Sequence, residues 1–375
     1  MIHGQPPRLP FRHILAIVVA LIVYGSLYPW QFRMRPLYAS PPWILLHSWP
    51  SAVNRFVAWD FAVNMVLYMP LGIFAVLAVS ETAPRLVRVF WPLALAFALS
   101  ASIEMLQLFD DSRTCSLADL TSNVVGAAVG IGAGEIYRAR WQRIAVRLRL
   151  SGGLLLLSCW LGYQIFPLFP SWGRTRLSAK IAAMQTLPAG WPTAVFVVFA
   201  EWLAVACLLD SVLGAKARRT LALLLLVLPA RLFIAGRTLT WSEIAGAAAA
   251  GAVWVWLPRR RVRRAVPFVM AAALVVSELA PFHFAGAQAF NWVPFRGFFQ
   301  MRWQDGFVVL FRKSFAYGAV LWLWRDRLAR TTAVAALALF VLERAQIHLP
   351  GRTPEITDAV LAILMGLLLW LLRDV

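Results

Sequence analysis

The carboxylates of Glu104 and Asp119, the guanidinium of Arg113 and the carboxamides of Gln107 and Asn123 occur close together in residues 102–130, within a largely apolar sequence. Glu104 and Gln107 are three residues apart, so they share one face if the segment is helical. Arg113 follows Gln107 by six residues, and Asp119 follows Arg113 by six. A guanidinium can hold a carboxylate or phosphate through two parallel hydrogen bonds, and carboxylates can bind a cation or move a proton. The stretch is therefore a candidate ligand site.

The same residues are also suited to a purely structural role. Arg113 would then bridge Asp119 and Glu104 in a buried ion-pair network, and Gly126 and Gly130 would let two helices approach closely. An acid at the start of a helix, such as Asp119, also caps that helix and favours its dipole. The two interpretations are compatible, and the sequence leaves both open.

Predicted helices position these side chains. Asp119 and Asn123 lie on one stripe of the helix that follows the polar hairpin, while Asp60, Asn64 and Tyr68, spaced by four, lie on an earlier helix. The outer ends of three helices therefore present polar groups at the same membrane depth. Ionisable groups there cost on the order of 3 kcal/mol each and normally face a bundle interior or a water-filled cavity.

The composition indicates a polytopic membrane protein. The chain has 375 residues, of which 61% are hydrophobic and only 14% are charged, which is outside the range of soluble domains. The net charge of +19 comes from arginines in short loops, and no nucleic-acid-binding motif accompanies it. The 3 cysteines and 5 histidines lack CxxC and HExxH spacing, so neither a metal site nor a cofactor is expected.

Apolar segments of membrane-spanning length recur along the whole chain. The first could be a signal peptide, but no small-residue cleavage site follows it, so we expect a retained span. We predict an all-α integral membrane bundle of about 12 spans, at residues 14–30, 59–80, 87–108, 117–137, 151–168, 194–212, 219–236, 241–257, 266–283, 307–324, 331–348 and 356–372.

The basic residues predict the orientation of these spans. The loops that follow even-numbered spans, together with the two termini, hold 21 of the 36 lysines and arginines. Short basic loops stay on the cytoplasmic side, so both termini are expected there and the polar hairpin on the other side. The longer connections at 30–58, 169–193 and 284–306 predict interfacial anchors or short surface helices, or alternatively a lid.

The six-residue steps of the hairpin recur twice later in the chain. Three residues before the first member of each set stands Glu104 in the original hairpin, Leu228 in the middle copy and Glu343 in the last copy. Pro167 and Pro281 lie near the ends of two spans and are 114 residues apart. This separation is close to the distance in sequence between Glu243 and Asp358 of the two later hairpins. The recurring residues are Arg231, Arg237 and Glu243 in the middle of the chain and Gln346, Arg352 and Asp358 near its end.

This periodicity predicts three parallel four-helix repeats. The expected domains are residues 1–145, 146–262 and 263–375. The middle repeat has Leu228 and Ala247 where the first has Glu104 and Asn123. The last has Ala362 at the asparagine place but keeps Glu343. The first repeat is therefore the best candidate for activity.

The first four spans carry an ordered set of polar residues and short motifs: Asp60, Asn64, Tyr68-Met69-Pro70-Leu71-Gly72, Ser102-Ile103-Glu104, Gln107, Arg113, Asp119, Asn123 and Gly126. This set resembles the VanZ-like family of bacterial membrane proteins. The resemblance implies a four-helix domain in the bacterial cytoplasmic (inner) membrane. It also implies the namesake association with resistance to teicoplanin, a glycopeptide antibiotic that binds cell-wall precursors.

The leading functional hypothesis is the binding or modulation of an anionic or zwitterionic envelope component, a lipid headgroup or a cell-wall precursor, at the outer face. A transporter is the second hypothesis, since many spans and internal repeats suit it. A membrane enzyme acting on lipid-linked substrates, with Glu104 or Asp119 as base, is the third. No nucleophile–base pair supports the enzyme, and no nucleic-acid partner is expected.

Overall fold

The described part of the chain is helical, which confirms the predicted all-α class. The computed structural model describes residues 11–372 apart from residues 29, 35, 51, 53–54, 81, 112, 141–150, 172 and 185–189. Within these residues no β-strand occurs, and isolated bridges join loops only. The helices are α1 (Phe11–Leu27), α2 (Pro41–Leu46), α3 (Arg55–Ala78), α4 (Arg85–Gln107), α5 (Leu117–Arg140), α6 (Gly152–Ile165), α7 (Arg174–Met184), α8 (Trp191–Leu213), α9 (Ala217–Leu224), α10 (Val227–Ala230), α11 (Trp241–Trp256), α12 (Arg259–Leu279), α13 (Arg296–Gln300), α14 (Trp303–Leu323), α15 (Leu328–Gln346) and α16 (Thr357–Leu371).

Two compact units divide the chain, residues 1–149 and residues 150–374. The first contains α1 to α5 and the second α6 to α16. The predicted division into three domains, at residues 145 and 262, stays a prediction.

Five of the described helices are long and apolar enough to cross a membrane. This finding supports a membrane-embedded protein, since a bilayer core requires about 20 apolar residues in helical form. Three shorter helices, α1, α6 and α16, are apolar as well. The five long spans are Val57–Ala78, Arg85–Gln107, Leu117–Ala139, Trp191–Leu213 and Trp303–Leu323.

One predicted span is wrong as a continuous helix. The segment 219–236 contains α9, α10 and a short 3-10 turn, Arg231–Phe233. Pro229 explains the break, because a proline ring clashes with the carbonyl four residues earlier and offers no N–H group. The first predicted span also ends differently, since α1 ends at Leu27 and Pro29 lies outside the described residues.

Short helices occupy the three long connections. Helix α2 follows α1, α7 follows α6, and α13 precedes α14. The expected short helices are therefore present.

Glycines bring α3 and α5 into backbone contact in the first unit. A Cβ added at Gly126 would overlap the main chain of Met65, and one added at Gly130 would overlap that of Met69. Gly132, two residues further along α5, has nothing within 4 Å of its Cβ position. The contact holds the polar starts of these two helices close to each other.

Candidate functional site

Glu104 closes the hairpin between α4 and α5. Its Oε2 atom accepts a hydrogen bond from the backbone N–H of Ser116 at 2.8 Å, and the side chain is only 3% exposed. The acid therefore satisfies an N–H group just before α5, where helix starts leave donors without intrahelical partners.

Arg113 binds the carboxyl end of α1. Its Nε donates to the carbonyl oxygen of Tyr28 at 2.9 Å, and its Nη2 donates to that of Gly25 at 3.3 Å. The last carbonyls of a helix have no intrahelical partner, so a basic side chain there is favourable. The guanidinium is thus directed to backbone carbonyls, whereas the sequence suggested a bridge between Asp119 and Glu104.

The remaining predicted residues of the first unit also meet at this end. Gln107 Nε2 donates to the carbonyl of Ser26 at 2.8 Å. The Asn64 side chain hydrogen bonds to the Asp119 carboxylate, and Asp60 lies near enough to repel that charge.

Farther along the same helices, Asn123 Nδ2 donates to Ser100 Oγ at 2.9 Å. Tyr68 is buried, and its hydroxyl lies near Ser100 and Glu104. The eight predicted residues of the first unit therefore form one polar region, with Asp60 on its exposed side.

Cys115 lies in the hairpin loop, where the reactivity of its thiol can be measured by chemical labelling. Burial raises the pKa of its thiol to about 11, and the nearby Glu104 carboxylate acts in the same direction. Few thiolates therefore form at neutral pH, and thiolate is the reactive form.

The middle of the chain repeats the arginine contact with different neighbours. Arg237 Nε donates to the carbonyl of Phe166 at 2.7 Å. Arg231 forms an ion pair with Glu243 and donates to Gln164 Oε1 at 3.2 Å. Glu243 also closes a capping box with Thr240 at the start of α11, which confirms the capping role expected for the acid at this place.

Near the end of the chain the contacts match those of the first unit. Glu343 Oε2 accepts from the backbone N–H of Glu355 at 2.9 Å, again 12 residues after the acid. Arg352 Nη2 donates to the carbonyls of Ser277 and Ala280, both at 2.7 Å.

Gln107 and the two residues at its recurring places have corresponding partners. Gln107 donates to the Ser26 carbonyl, Arg231 donates to Gln164 Oε1, and Gln346 Nε2 donates to Glu278 Oε2 at 2.9 Å. Each partner lies near the end of an earlier helix, α1, α6 or α12. Positive φ angles also occur at three corresponding places, Trp30, Leu168 and Phe282.

Several residues of these regions were not predicted from the sequence. Gln164 and Glu278 stand three residues before Pro167 and Pro281, a regularity that could have identified them. Lys313 has no such regular spacing in the sequence, yet its Nζ lies 2.5 Å from Asp358 Oδ1.

A cavity of about 160 Å³ opens next to the last of these regions. It lies within the second unit, and charged and polar side chains dominate its lining. Those side chains belong to Glu278, Lys313, Glu343, Gln346, Arg352 and Glu355.

Residues 11–138 match the family model described as VanZ/LLP1. No curated protein and no solved structure matches the chain. The match covers α1 to α4 and nearly all of α5, the elements that carry the first polar region.

Proposed function

We propose that the chain is a bacterial inner-membrane protein whose residues 11–138, which match the VanZ/LLP1 family model, form a domain that binds a zwitterionic or anionic envelope component at its outer face. The observation that carries the proposal is the polar region at one shared end of α3, α4 and α5. Ionisable groups at such a depth are costly unless they face a cavity or a ligand. Headgroups of lipids and cell-wall precursors lie at the same level of the membrane.

The geometry favours a zwitterionic ligand within this class. The Nε and Nη2 atoms of Arg113 already donate hydrogen bonds to carbonyls at the end of α1. The acids Asp60 and Asp119, by contrast, are near each other, and Asp60 is exposed. A positively charged amine of the ligand would relieve the repulsion between these two carboxylates.

The proposal includes about 12 spans in three parallel four-helix repeats. The recurring arginine contacts support it, because Arg113, Arg237 and Arg352 each bind a carbonyl near the end of the first helix of their own group. An even number of spans per repeat preserves orientation. The break in 219–236 belongs to the middle repeat.

The orientation rests on charge. The connections that hold Arg85 and Arg88, Lys216 and Arg219, and Arg259 to Arg264 are short and basic, as cytoplasmic loops are. Arg143, Arg147 and Arg149 belong to the same pattern but lie outside the described residues. Both termini are then cytoplasmic, and the polar region of the first unit is extracytoplasmic.

Binding to the purified full chain tests the proposal. We expect a short-chain zwitterionic lipid or a lipid-linked cell-wall precursor to raise the melting temperature, and Asp60→Asn or Asp119→Asn to weaken binding by about tenfold, or roughly 1.4 kcal/mol. Asp326→Asn, a matched change at an exposed acid, should bind as the parent does.

Envelope phenotypes provide the complementary test. A deletion strain that carries Asp60→Asn or Glu104→Gln should keep the envelope defect of the deletion, including a raised susceptibility to glycopeptides, whereas the parent gene should restore the wild-type phenotype. Variants that insert, fold and restore the full wild-type phenotype would show that the polar region is a structural clamp.

Flux measurements separate the transporter hypothesis from binding alone. The charged cavity of the second unit is the observation that favours transport. Proteoliposomes that take up a candidate ligand faster than empty vesicles would support a transporter, and equal rates would leave binding as the function.

A further inference from the structure

Three carboxylates from three helices meet in the second unit. Glu278 of α12, Glu343 of α15 and Asp358 of α16 each offer one oxygen, and these oxygens lie within 4.8 Å of one another. All three side chains are buried, at 9%, 2% and 0% exposure. Such a set is a candidate cation site, but an acidic cluster needs further support.

The charges around the cluster do not balance. Lys313 Nζ contacts Asp358 Oδ1 at 2.5 Å. Arg352 lines the cavity but directs Nη2 to backbone carbonyls. Arg312 points Nε toward Glu201 at 4.0 Å. Three buried carboxylates therefore share one ammonium in direct contact, and a buried charge without compensation is unfavourable.

One ligand atom in the cluster is free. Asp358 Oδ2 is buried and has no hydrogen-bond partner among the described residues, while the Tyr317 hydroxyl and the Glu343 carboxylate lie beside the Asp358 carboxyl group. The other two acids are partly occupied, since Glu343 accepts the N–H of Glu355 and Glu278 accepts from Gln346 and, at 3.5 Å, from the Tyr317 hydroxyl. A wholly buried acceptor without a donor is rare in folded proteins, and it marks the place where a positive species belongs.

The cavity supplies room and access. Its volume of about 160 Å³ borders Glu278 and Glu343, and a water molecule occupies about 30 Å³. A cation with several of its waters fits this space. Gly351 and Thr353 of the α15–α16 loop also line it, so an ion can arrive from that end of the helices.

The corresponding places of the other groups do not carry this excess of acid. At these places the middle group has a single acid, Glu243, and that acid is paired with Arg231. The correspondence between the groups rests on the proposed repeats, whereas the cluster of three carboxylates does not depend on them. The corresponding residues are Ser26, Glu104 and Asp119 in the first group and Gln164, Leu228 and Glu243 in the middle group.

We propose that Glu278, Glu343 and Asp358 bind a hard divalent cation of the Ca²⁺, Mg²⁺ and Mn²⁺ class. Carboxylate oxygens suit these ions, whereas Zn²⁺ sites usually include histidine or cysteine. Ligands about 2.4 Å from Ca²⁺ would place opposite oxygens about 4.8 Å apart. Lys313 orients Asp358, and the ion joins α12, α15 and α16.

Metal titration of the full chain tests this site. After treatment with a chelator, the purified protein should bind one Mn²⁺ per chain by electron paramagnetic resonance, and Ca²⁺ or Mg²⁺ should compete and raise the melting temperature. Glu343→Gln and Asp358→Asn should weaken Mn²⁺ binding by about tenfold or more, because ligand charge sets affinity. Asp305→Asn, a matched change at an exposed acid of α14, should bind Mn²⁺ as the parent does.

Glu278→Gln keeps the side-chain shape and provides the test if Asp358→Asn does not fold. A folded protein that binds no Mn²⁺ at millimolar concentration overturns the proposal, as does unchanged binding in folded Glu278→Gln and Glu343→Gln variants. A melting temperature that depends on pH but not on metal would show protons as the neutralising species, which also overturns it. None of these results bears on ligand binding by the first unit.

Discussion

At the residue scale, the hairpin arginines act through geometry as much as through charge. Arg113 and Arg352 each reach two carbonyls near the end of an earlier helix. A guanidinium presents several donors in a fixed plane, while an ammonium is a point charge. Their chief role in these contacts is to fasten a loop to a helix end.

Replacement by lysine should therefore destabilise the protein even though the charge is kept. We expect Arg113→Lys or Arg352→Lys to lower the free energy of unfolding by about 1.5–3 kcal/mol, the range for hydrogen bonds to charged groups. Denaturant titration in detergent would measure the change. Arg85→Lys, at an exposed position, should alter stability little, and equal losses in all three variants would contradict the geometric explanation.

The sequence could predict which side chains gather at the hairpin but not what each one bonds. The spacing of Glu104, Arg113 and Asp119 follows from helix periodicity, so their common location was predictable. The partners of Arg113 are backbone carbonyls of α1, and every residue type carries such a carbonyl. A sequence pattern therefore cannot show which carbonyls Arg113 binds.

At the element scale, α3 and α5 approach so closely that side chains cannot intervene. Gly126 and Gly130 face the main chain of Met65 and Met69. In membranes, small residues at an interface permit this approach, and van der Waals packing then stabilises the helix pair. The glycine spacing predicted the contact, although it could not identify α3 as the partner.

Adding one methyl group should force these helices apart. Gly126→Ala or Gly130→Ala should destabilise the fold by about 1–3 kcal/mol or more, since overpacking moves backbone. Gly132→Ala is the matched control, because its Cβ would meet nothing within 4 Å and alanine favours helix. Thermal unfolding of the three variants checks the order, and a control as unstable as Gly126→Ala would refute the close contact.

The break in the predicted span 219–236 shows where periodicity fails. The segment is as apolar as its neighbours, so hydropathy alone favours one helix. Helix α9 nevertheless ends at Leu224, and Pro229 lies in the separate short helix α10, whereas Pro70 lies inside a continuous α3. Whether a proline bends or ends a helix depends on the surrounding packing, and one sequence does not reveal that packing.

At the scale of the whole molecule, orientation is the property on which the proposed function depends. Cys115 lies in the loop between two candidate spans, and the other cysteines, Cys159 and Cys207, lie within helices. In a variant without those two, labelling of intact cells by a membrane-impermeant maleimide reports the side that the hairpin faces.

We expect Cys115 to be labelled from outside, slowly at neutral pH. Burial, followed by the Glu104 carboxylate, raises the pKa of its thiol to about 11, so the rate should rise about tenfold per pH unit below that value. Glu104→Gln removes a negative charge, lowers the Cys115 pKa and should speed labelling at a fixed pH. Labelling only after permeabilisation would reverse the proposed orientation. A labelling rate unaffected by Glu104→Gln would show that the Glu104 carboxylate does not influence the Cys115 thiol.

The arginine contacts have a consequence for how such a chain could have grown. Arg113 reaches Tyr28, Arg237 reaches Phe166 and Arg352 reaches Ala280, so each loop closes on the end of a helix that lies 71 to 85 residues earlier in the chain. A duplicated gene segment would carry both ends of this bond. Each added copy could then close by its own contacts as it emerged from the ribosome, and its acids would be left to diverge.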